Sequence, residues 1–211
     1  MALFSTEPGD EGLAGRERAL AMAAVMTSTT MAVFDGAIVN VALPPIAHAL
    51  AVPAQSAVWV ANGYLLSAAM TLAIFAALAR RVGFRTLFAF GLSLFTLASL
   101  GCALSSSLSA LTGWRIVQGV GGAATLSIAP AILRSVFPTR LLGRILGLHA
   151  LLIAASTAVA PVLGGTLLAA LSWQWLFAIN IPLGAIALTL TLQAIPRTAR
   201  PHTNPLISPG Q

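Results

Sequence analysis

Apolar residues run through this chain in six long stretches, separated by short polar or proline-containing breaks. The stretches cover residues 19–43, 58–79, 86–104, 110–133, 142–168 and 173–193. Each is close to the roughly 20 apolar residues that a helix needs to cross a bilayer. The pattern therefore predicts an all-α membrane protein in which six transmembrane helices form one bundle over residues 19–195. Residues 1–18 and the proline-rich residues 196–211 contain no such run, and we expect both to be cytoplasmic tails.

Prolines, a glycine and serines mark the predicted breaks. Pro44, Pro45 and Pro53 follow the first run, and a proline inside a helix removes a backbone hydrogen bond. We therefore expect the first helix to break at Pro44 and Pro45. Gly83 lies in the second break, and residues 105–107 form the third.

Arginines occupy alternate breaks, and this alternation predicts the orientation. They lie before the first run, around the second and fourth breaks, and after the sixth run: Arg16, Arg18, Arg80, Arg81, Arg85, Arg134, Arg140, Arg144, Arg197 and Arg200. The first, third and fifth breaks contain no arginine. Because arginine-rich loops stay on the cytoplasmic side, we expect both termini in the cytoplasm and the chain in the inner (plasma) membrane.

The composition supports a membrane protein and argues against other classes. Hydrophobic residues make up 58% and charged residues 8% of the chain, whereas soluble domains carry about 25% charged residues. The net charge of +6 is spread over helix ends, so we expect no nucleic-acid partner. Cys102 is the single cysteine, and the sequence offers no nucleophile–base pair, phosphate loop or metal-ligand cluster. We therefore expect no enzymatic activity, metal or cofactor. The richness in Ala, Gly, Leu and Arg without Lys is typical of GC-rich bacterial genomes.

Two charges lie inside apolar runs, Asp35 in the first and Arg115 in the fourth. Asp35 lies nine residues before Pro44, about 13 Å along a helix axis, and Arg115 lies seven residues after Leu108, about 10 Å. A charge at this depth needs a partner or a polar cavity, so we expect the two to meet. Gln118 shares the face of Arg115, and Asn40 adds a polar group further out. Two interpretations stay open: a salt bridge that locks two helices, or a protonatable Asp35 coupled to substrate.

The fifth run combines small residues with a proline. Ser156, Ala160 and Gly164 recur every four residues, with Pro161 and Gly165 beside them. Small residues let helices approach closely, and proline favours a kink. Close packing and a hinge are both compatible with this pattern. His149 is the histidine of this run, and we expect it to be a hydrogen-bonded interior residue.

Four stretches in different spans look like the signatures of a known family. They read FDGAIVNVALPPI at 34–46, WRIVQGVGGA at 114–123, APVLGG at 160–165 and WQWLFAINIPLG at 173–184. In this order they resemble the major facilitator superfamily, and within it the fourteen-span drug:proton antiporter branch. The resemblance implies a bundle built as a three-plus-three inverted repeat. It also implies that Arg115 takes part in proton coupling and that residues 160–165 form the antiporter motif.

The loop after the second span departs from that family. It reads AALARRVGFR at 76–85, so that Gly83, Arg81 and Arg85 are the candidate cytoplasmic loop motif. Arg80 stands where the family has an acidic residue that pairs with arginine. Three arginines this close together are expected to repel one another.

The resemblance covers residues from about 19 to 196 and implies a function. The family has a second bundle and holds its substrate between two halves, so the chain resembles the N-terminal half of a proton-coupled exporter of drug-like small molecules. Asp35 would take up a proton or meet a cationic substrate, and Arg115 would tune it. Asn40 and Gln118 would line the substrate pathway. The expected partners are the lipid bilayer, substrate, protons, and a second half-bundle or a homodimer. The alternative is a truncated, non-transporting membrane fragment, or a helper that associates with a full-length transporter.

Overall fold

The computed structural model describes residues 12–13 and 15–195, and within these residues the structure is all-α without strands. The helices are α1 (Gly15–Ala49), α2 (Ala54–Val82), α3 (Phe84–Ala103), α4 (Leu108–Val136), α5 (Thr139–Ala170), α6 (Trp175–Ala178) and α7 (Asn180–Ala194). α6 and α7 together form the sixth span, so that six segments of the described chain are long and apolar enough to cross a membrane. The predicted all-α bundle of six spans is confirmed. The parts of the predicted tails at 1–11, 14 and 196–211, with Arg197 and Arg200, lie outside the described residues.

The first helix continues through Pro44 and Pro45 and ends only at Ala49. Its end is a Schellman-type cap in which the Val52 N–H donates to the Ala47 carbonyl at 3.0 Å and Ala51 adopts a positive φ of 51°. The predicted break at the two prolines is therefore wrong. The prolines remove only their own N–H donors, and the rest of the turn holds the helix together.

The sixth span is interrupted between α6 and α7. Pro182 lies in the first turn of α7 and has no N–H to donate to the carbonyl of Ala178, the last residue of α6. The interruption leaves Asn180 as the first residue of α7, with its side chain buried. This local break positions an amide inside an otherwise apolar span.

α4 lies at the centre of the packing, between α2 and α3, while α1 packs against α5 and α7. A cluster of buried apolar residues that includes Val25 and Ile132 fills one end of the bundle. Another cluster, which includes Ile38 and Leu111, fills the other end. Asp35 lies between these two regions along α1, so the charged site has apolar packing towards both ends of the bundle.

The arginine-rich junctions of the described chain share one end of the bundle. The Leu13 N–H donates to the Val136 carbonyl at 3.0 Å, which places the start of α1 beside the end of α4. Arg85 donates to the Leu192 carbonyl at 2.6 Å, which places the α2–α3 junction beside the end of α7. The connections at 50–53, 104–107 and 171–174 therefore lie at the opposite end.

Candidate functional site

The structure brings Asp35 of α1 and Arg115 of α4 into direct contact. Arg115 Nη1 donates to Asp35 Oδ2 in a salt bridge. Arg115 is fully buried and Asp35 is 2% exposed. Both charges are removed from solvent, and the attraction between them is the main compensation for the cost of their desolvation. The site is therefore a buried ion pair that joins the first and fourth spans.

Two more side chains donate to the carboxylate of Asp35, and a third, Ser99, extends the network. Asp35 Oδ1 accepts from Gln118 Nε2 at 3.0 Å and from Asn180 Nδ2 at 2.8 Å. Gln118 Nε2 also donates to Ser99 Oγ at 2.8 Å, and Gln118 Oε1 accepts from Arg115 Nη1 at 2.6 Å. The network connects α1, α3, α4 and α7, and its donors are complementary to an ionised carboxylate.

Aromatic rings and a backbone carbonyl hold the guanidinium of Arg115. Its Nε donates to the Val60 carbonyl at 3.1 Å. Its Cζ lies 4.4 Å from the centroid of the Tyr64 ring and 5.5 Å from that of Phe177. Nη2 is buried and has no hydrogen-bond partner among the described residues. Cation–π attraction reaches about 2 kcal/mol when the pair is desolvated, so the rings partly compensate for that unpaired donor.

Glycines in α4 bring the neighbouring helices close enough to form this site. A Cβ at Gly119 would collide with the Tyr64 carbonyl, and one at Gly121 would lie 2.6 Å from the Phe95 nitrogen. A Cβ at Gly122 would lie 2.8 Å from the Tyr64 hydroxyl, which donates to the Ala32 carbonyl at 3.0 Å. The glycine-rich stretch after Arg115 therefore sets the distance from α4 to α2 and α3.

The structure does not bring Asn40 to the ion pair. Asn40 is exposed, and its Nδ2 lies 3.4 Å from the Ala37 carbonyl of its own helix. The expectation that Asn40 and Gln118 line one substrate pathway stays a prediction. Gln118, in contrast, lies at the centre of the network.

The fifth-span motif divides between two faces of α5. Ala160 and Gly164 are buried, and a Cβ at Gly164 would lie 2.5 Å from Ile38 Cγ1 of α1. Pro161 and Gly165 are exposed, and nothing lies within 4 Å of a Cβ at Gly165. The buried half of the motif explains the close packing of α5 on α1. The α-helix itself continues through Pro161.

His149 lies on the buried side of α5. Its Nε2 is 3.0 Å from Thr29 Oγ1 of α1. The expected hydrogen-bonded interior histidine is thus what the structure contains, and its partner belongs to the neighbouring span.

The candidate loop motif occupies a one-residue connection. Gly83 separates α2 from α3 with a φ of 95°, a conformation that favours glycine. Arg81 is exposed, and Arg85 turns away to the carbonyl of Leu192 near the end of α7. A cation near a helix C-terminus is favourable, so this contact offsets part of the repulsion expected from clustered arginines.

The sequence alone did not assign Asn180, Ser99, Tyr64 or Cys102 to this site. Cys102 Sγ lies 3.7 Å from Gln118 Oε1. All four are polar or polarisable side chains within otherwise apolar spans. Their approximate depth relative to Asp35 is a signal that makes them candidates, but it does not show which of them face the site.

Comparisons with known proteins show to which family the chain belongs. The family model of the Major Facilitator Superfamily matches residues 19–210. The Uncharacterized transporter YebQ of Escherichia coli is 42% identical over 186 residues, which are 88% of this chain and 41% of YebQ. The Methylenomycin A resistance protein of Streptomyces coelicolor is 35% identical over 188 residues, which are 89% of this chain and 39% of that protein. The chain thus spans about two fifths of the length of these relatives.

The fold has a counterpart among solved structures. The crystal structure of a bacterial homolog of the human lysosomal transporter Spinster, inward-facing and unoccupied, aligns with a TM-score of 0.68. The alignment covers 86% of this chain and 44% of that chain at 17% identity, and it shows the fold alone. Because the family model covers nearly the whole sequence, the chain belongs to the Major Facilitator Superfamily.

Proposed function

We propose that this chain is the N-terminal half of a proton-coupled exporter of drug-like small molecules, of the fourteen-span drug:proton antiporter type. The observation that carries the proposal is the buried network around Asp35 and Arg115, because ionisable groups inside a membrane span mark ion and substrate pathways. Similarity to a methylenomycin A resistance protein supports a drug-like substrate.

The proposed mechanism is alternating access with Asp35 as the proton carrier. A proton on Asp35 neutralises the carboxylate that faces Arg115, so the Coulombic attraction between α1 and α4 is lost. Arg115 keeps its contacts with the Val60 carbonyl and the Tyr64 ring, and is thereby retained in the site. Release of the proton restores the pair. The two protonation states thus differ in how strongly the first and fourth spans are held together.

The assembly that transports would place a second wall opposite this bundle, from a second half-bundle or a second copy of the chain. We further propose the bacterial inner (plasma) membrane as the location, with residues 1–18 and 196–211 in the cytoplasm as tails of the bundle formed by 19–195. Gly83, Arg81 and Arg85 would then lie at the cytoplasmic surface, and the fifth-span residues Pro161 and Gly165 on the face that moves.

The proposal is tested with Asp35→Asn in the assembly that transports. We expect the variant to lose ethidium efflux driven by a pH gradient, because asparagine does not exchange a proton, at membrane protein levels matched to the unsubstituted chain. The matched control is Glu17→Gln, which removes an exposed carboxylate from the same helix; this variant should transport normally.

A second interpretation is favoured by the completeness of the hydrogen bonding around Asp35: a structural lock. If Asp35→Asn lowers the thermal stability but leaves pH-driven efflux per molecule unchanged, the lock is correct and the proton-carrier role is wrong. Loss of efflux per folded molecule supports the carrier, whatever the change in stability.

A further inference from the structure

A cavity of about 430 Å³ lies between α1 and α7, beside the ion pair rather than within it. Met26, Met31 and Phe34 form its wall on α1, and Leu183 forms part of its wall on α7. Volumes of roughly 300–1,000 Å³ are typical of sites for drug-sized molecules. The lining contains no charged side chain, and methionines adapt to ligands of different shape. The cavity therefore suits an uncharged, largely apolar molecule.

Asn180 is the polar side chain that connects this cavity to the ion pair. It lines the cavity and is 3% exposed, and its Nδ2 donates to Asp35 Oδ1 at 2.8 Å. The two ends of a carboxamide point apart. When Nδ2 faces Asp35, Oδ1 is the end that remains for a ligand in the cavity. A molecule that donates a hydrogen bond to this oxygen would stabilise the orientation in which Nδ2 faces an ionised Asp35.

We propose that the cavity between α1 and α7 binds an uncharged apolar molecule with one N–H or O–H donor, and that Asn180 transmits its presence to Asp35. A proton on Asp35 Oδ1 would need an acceptor, which Asn180 can supply only by turning its oxygen towards Asp35. The ligand's donor and the proton thus compete for the same oxygen. This competition couples binding of the ligand to release of the proton, which is what exchange of substrate for proton requires. In this coupling the inference rests on the proposed function.

The other ionisable groups around Asp35 do not provide such a connection. They are Arg115 on α4, Tyr64 on α2 and Cys102 on α3, none of which lines the cavity. α6 and α7 contain no ionisable side chain. On α5, His149 is paired with Thr29, and Arg140 and Arg144 lie in the first turns of the helix, nearer the arginine-rich end. Asn180 is therefore the side chain that both contacts the carboxylate and lines the cavity.

The test measures protection of a cysteine in the cavity wall of the full chain in its membrane. Leu183→Cys is modified with N-ethylmaleimide in the presence and absence of N-phenyl-1-naphthylamine, an uncharged apolar probe with one N–H. Ile186→Cys, more exposed on the same helix and outside the lining, is the matched control. The unsubstituted chain, whose one cysteine is the buried Cys102, gives the background. We expect the probe to slow modification at position 183 only, and more strongly at alkaline than at acidic pH.

The connection to Asp35 is tested by adding Asn180→Leu to Leu183→Cys. We expect the affinity for the probe to fall about fivefold, the effect of one hydrogen bond, and its pH dependence to disappear. Asn180→Ala, which is smaller and has no polar group, replaces the leucine variant if that variant does not fold. Unchanged affinity and pH dependence in the position-180 variant would overturn the role of Asn180.

The cavity site itself is overturned by either of two results. One is no protection at position 183. The other is equal protection at positions 183 and 186, which would mean that the probe acts from the lipid. Protection does not require transport, so normal efflux by Asp35→Asn would contradict the proposed function while protection at position 183 would still support the binding site.

Discussion

Arg115 is fully buried, and Asp35 supplies the negative charge that faces it. Removal of either side chain leaves the other as an uncompensated charge. We therefore expect Asp35→Asn and Arg115→Met each to lower the free energy of unfolding by about 3–5 kcal/mol. The double variant should lose less than the sum of the two, because it removes both charges together. Thermal unfolding of the four proteins in detergent, followed by tryptophan fluorescence, measures this coupling.

Strict additivity of the two substitutions would contradict a direct interaction between Asp35 and Arg115. The control is a second double variant, Asp35→Asn combined with Gly113→Ala, since Gly113 is exposed on the same helix as Arg115. The effects of these two changes should add.

The sequence predicts the contact of Asp35 with Arg115 for a simple physical reason. A charge at membrane depth requires a partner, and the rise of the helix fixes the depth of each candidate. No such requirement applies to a neutral side chain. Ser99, for example, donates its hydroxyl hydrogen to the Phe95 carbonyl of its own helix at 2.8 Å, so it needs no partner on another helix. Its place beside Gln118, and that of Asn180 beside Asp35, depend on how each helix is rotated, which the sequence pattern does not specify.

The contact between α3 and α4 depends on glycines that face each other. A Cβ at Gly121 would lie 2.6 Å from the Phe95 nitrogen and 2.8 Å from the Gly91 oxygen, both backbone atoms that cannot rotate away. We expect Gly121→Ala to lower the free energy of unfolding by about 1–3 kcal/mol, the usual range for overpacking. The change would also separate the helices that carry Ser99 and Gln118. Thermal unfolding in detergent is the measurement.

Gly113→Ala in the same helix is the control for that substitution. Nothing lies within 4 Å of a Cβ at Gly113, so alanine should be neutral or stabilising by up to about 1 kcal/mol through its higher helix propensity. Equal losses at positions 113 and 121 would indicate a helix-propensity effect and would contradict the packing argument.

For the helices, the sequence predicts that each one forms better than it predicts where the helix ends or which of its faces is buried. The hydrophobic length of each run requires a helix, because an unpaired backbone is excluded from the bilayer. The ends are decided by local caps, as the helix that continues past Pro45 to Ala49 shows. The inward faces are hidden because exposed residues are apolar too: Met70 is 75% and Val162 67% exposed. Small residues are a partial guide to helix contacts: Gly121 lies against α3, whereas nothing lies within 4 Å of a Cβ at Gly165.

The whole bundle has an apolar exterior and one arginine-rich end. The contacts Leu13–Val136 and Arg85–Leu192 gather the arginine-rich junctions at that end. Because positively charged loops remain on the cytoplasmic side, we expect the connection at 104–107 to face outwards and the α2–α3 junction to face inwards. Ser106→Cys should then react with a membrane-impermeant maleimide in intact cells, whereas Val82→Cys should react only after permeabilisation.

Both positions are exposed in the bundle, so burial does not distinguish them, and Val82→Cys leaves every arginine in place. The unsubstituted chain gives the background, since Cys102 is buried. Labelling of Val82→Cys but not of Ser106→Cys in intact cells would invert the orientation. Gly83, Arg81 and Arg85 would then lie outside. The end of α1 that is nearer to Asp35 would then face the cytoplasm. The proton for Asp35 would have to come from the opposite side of the membrane. The labelling result therefore decides the direction of exchange that the ion pair could support.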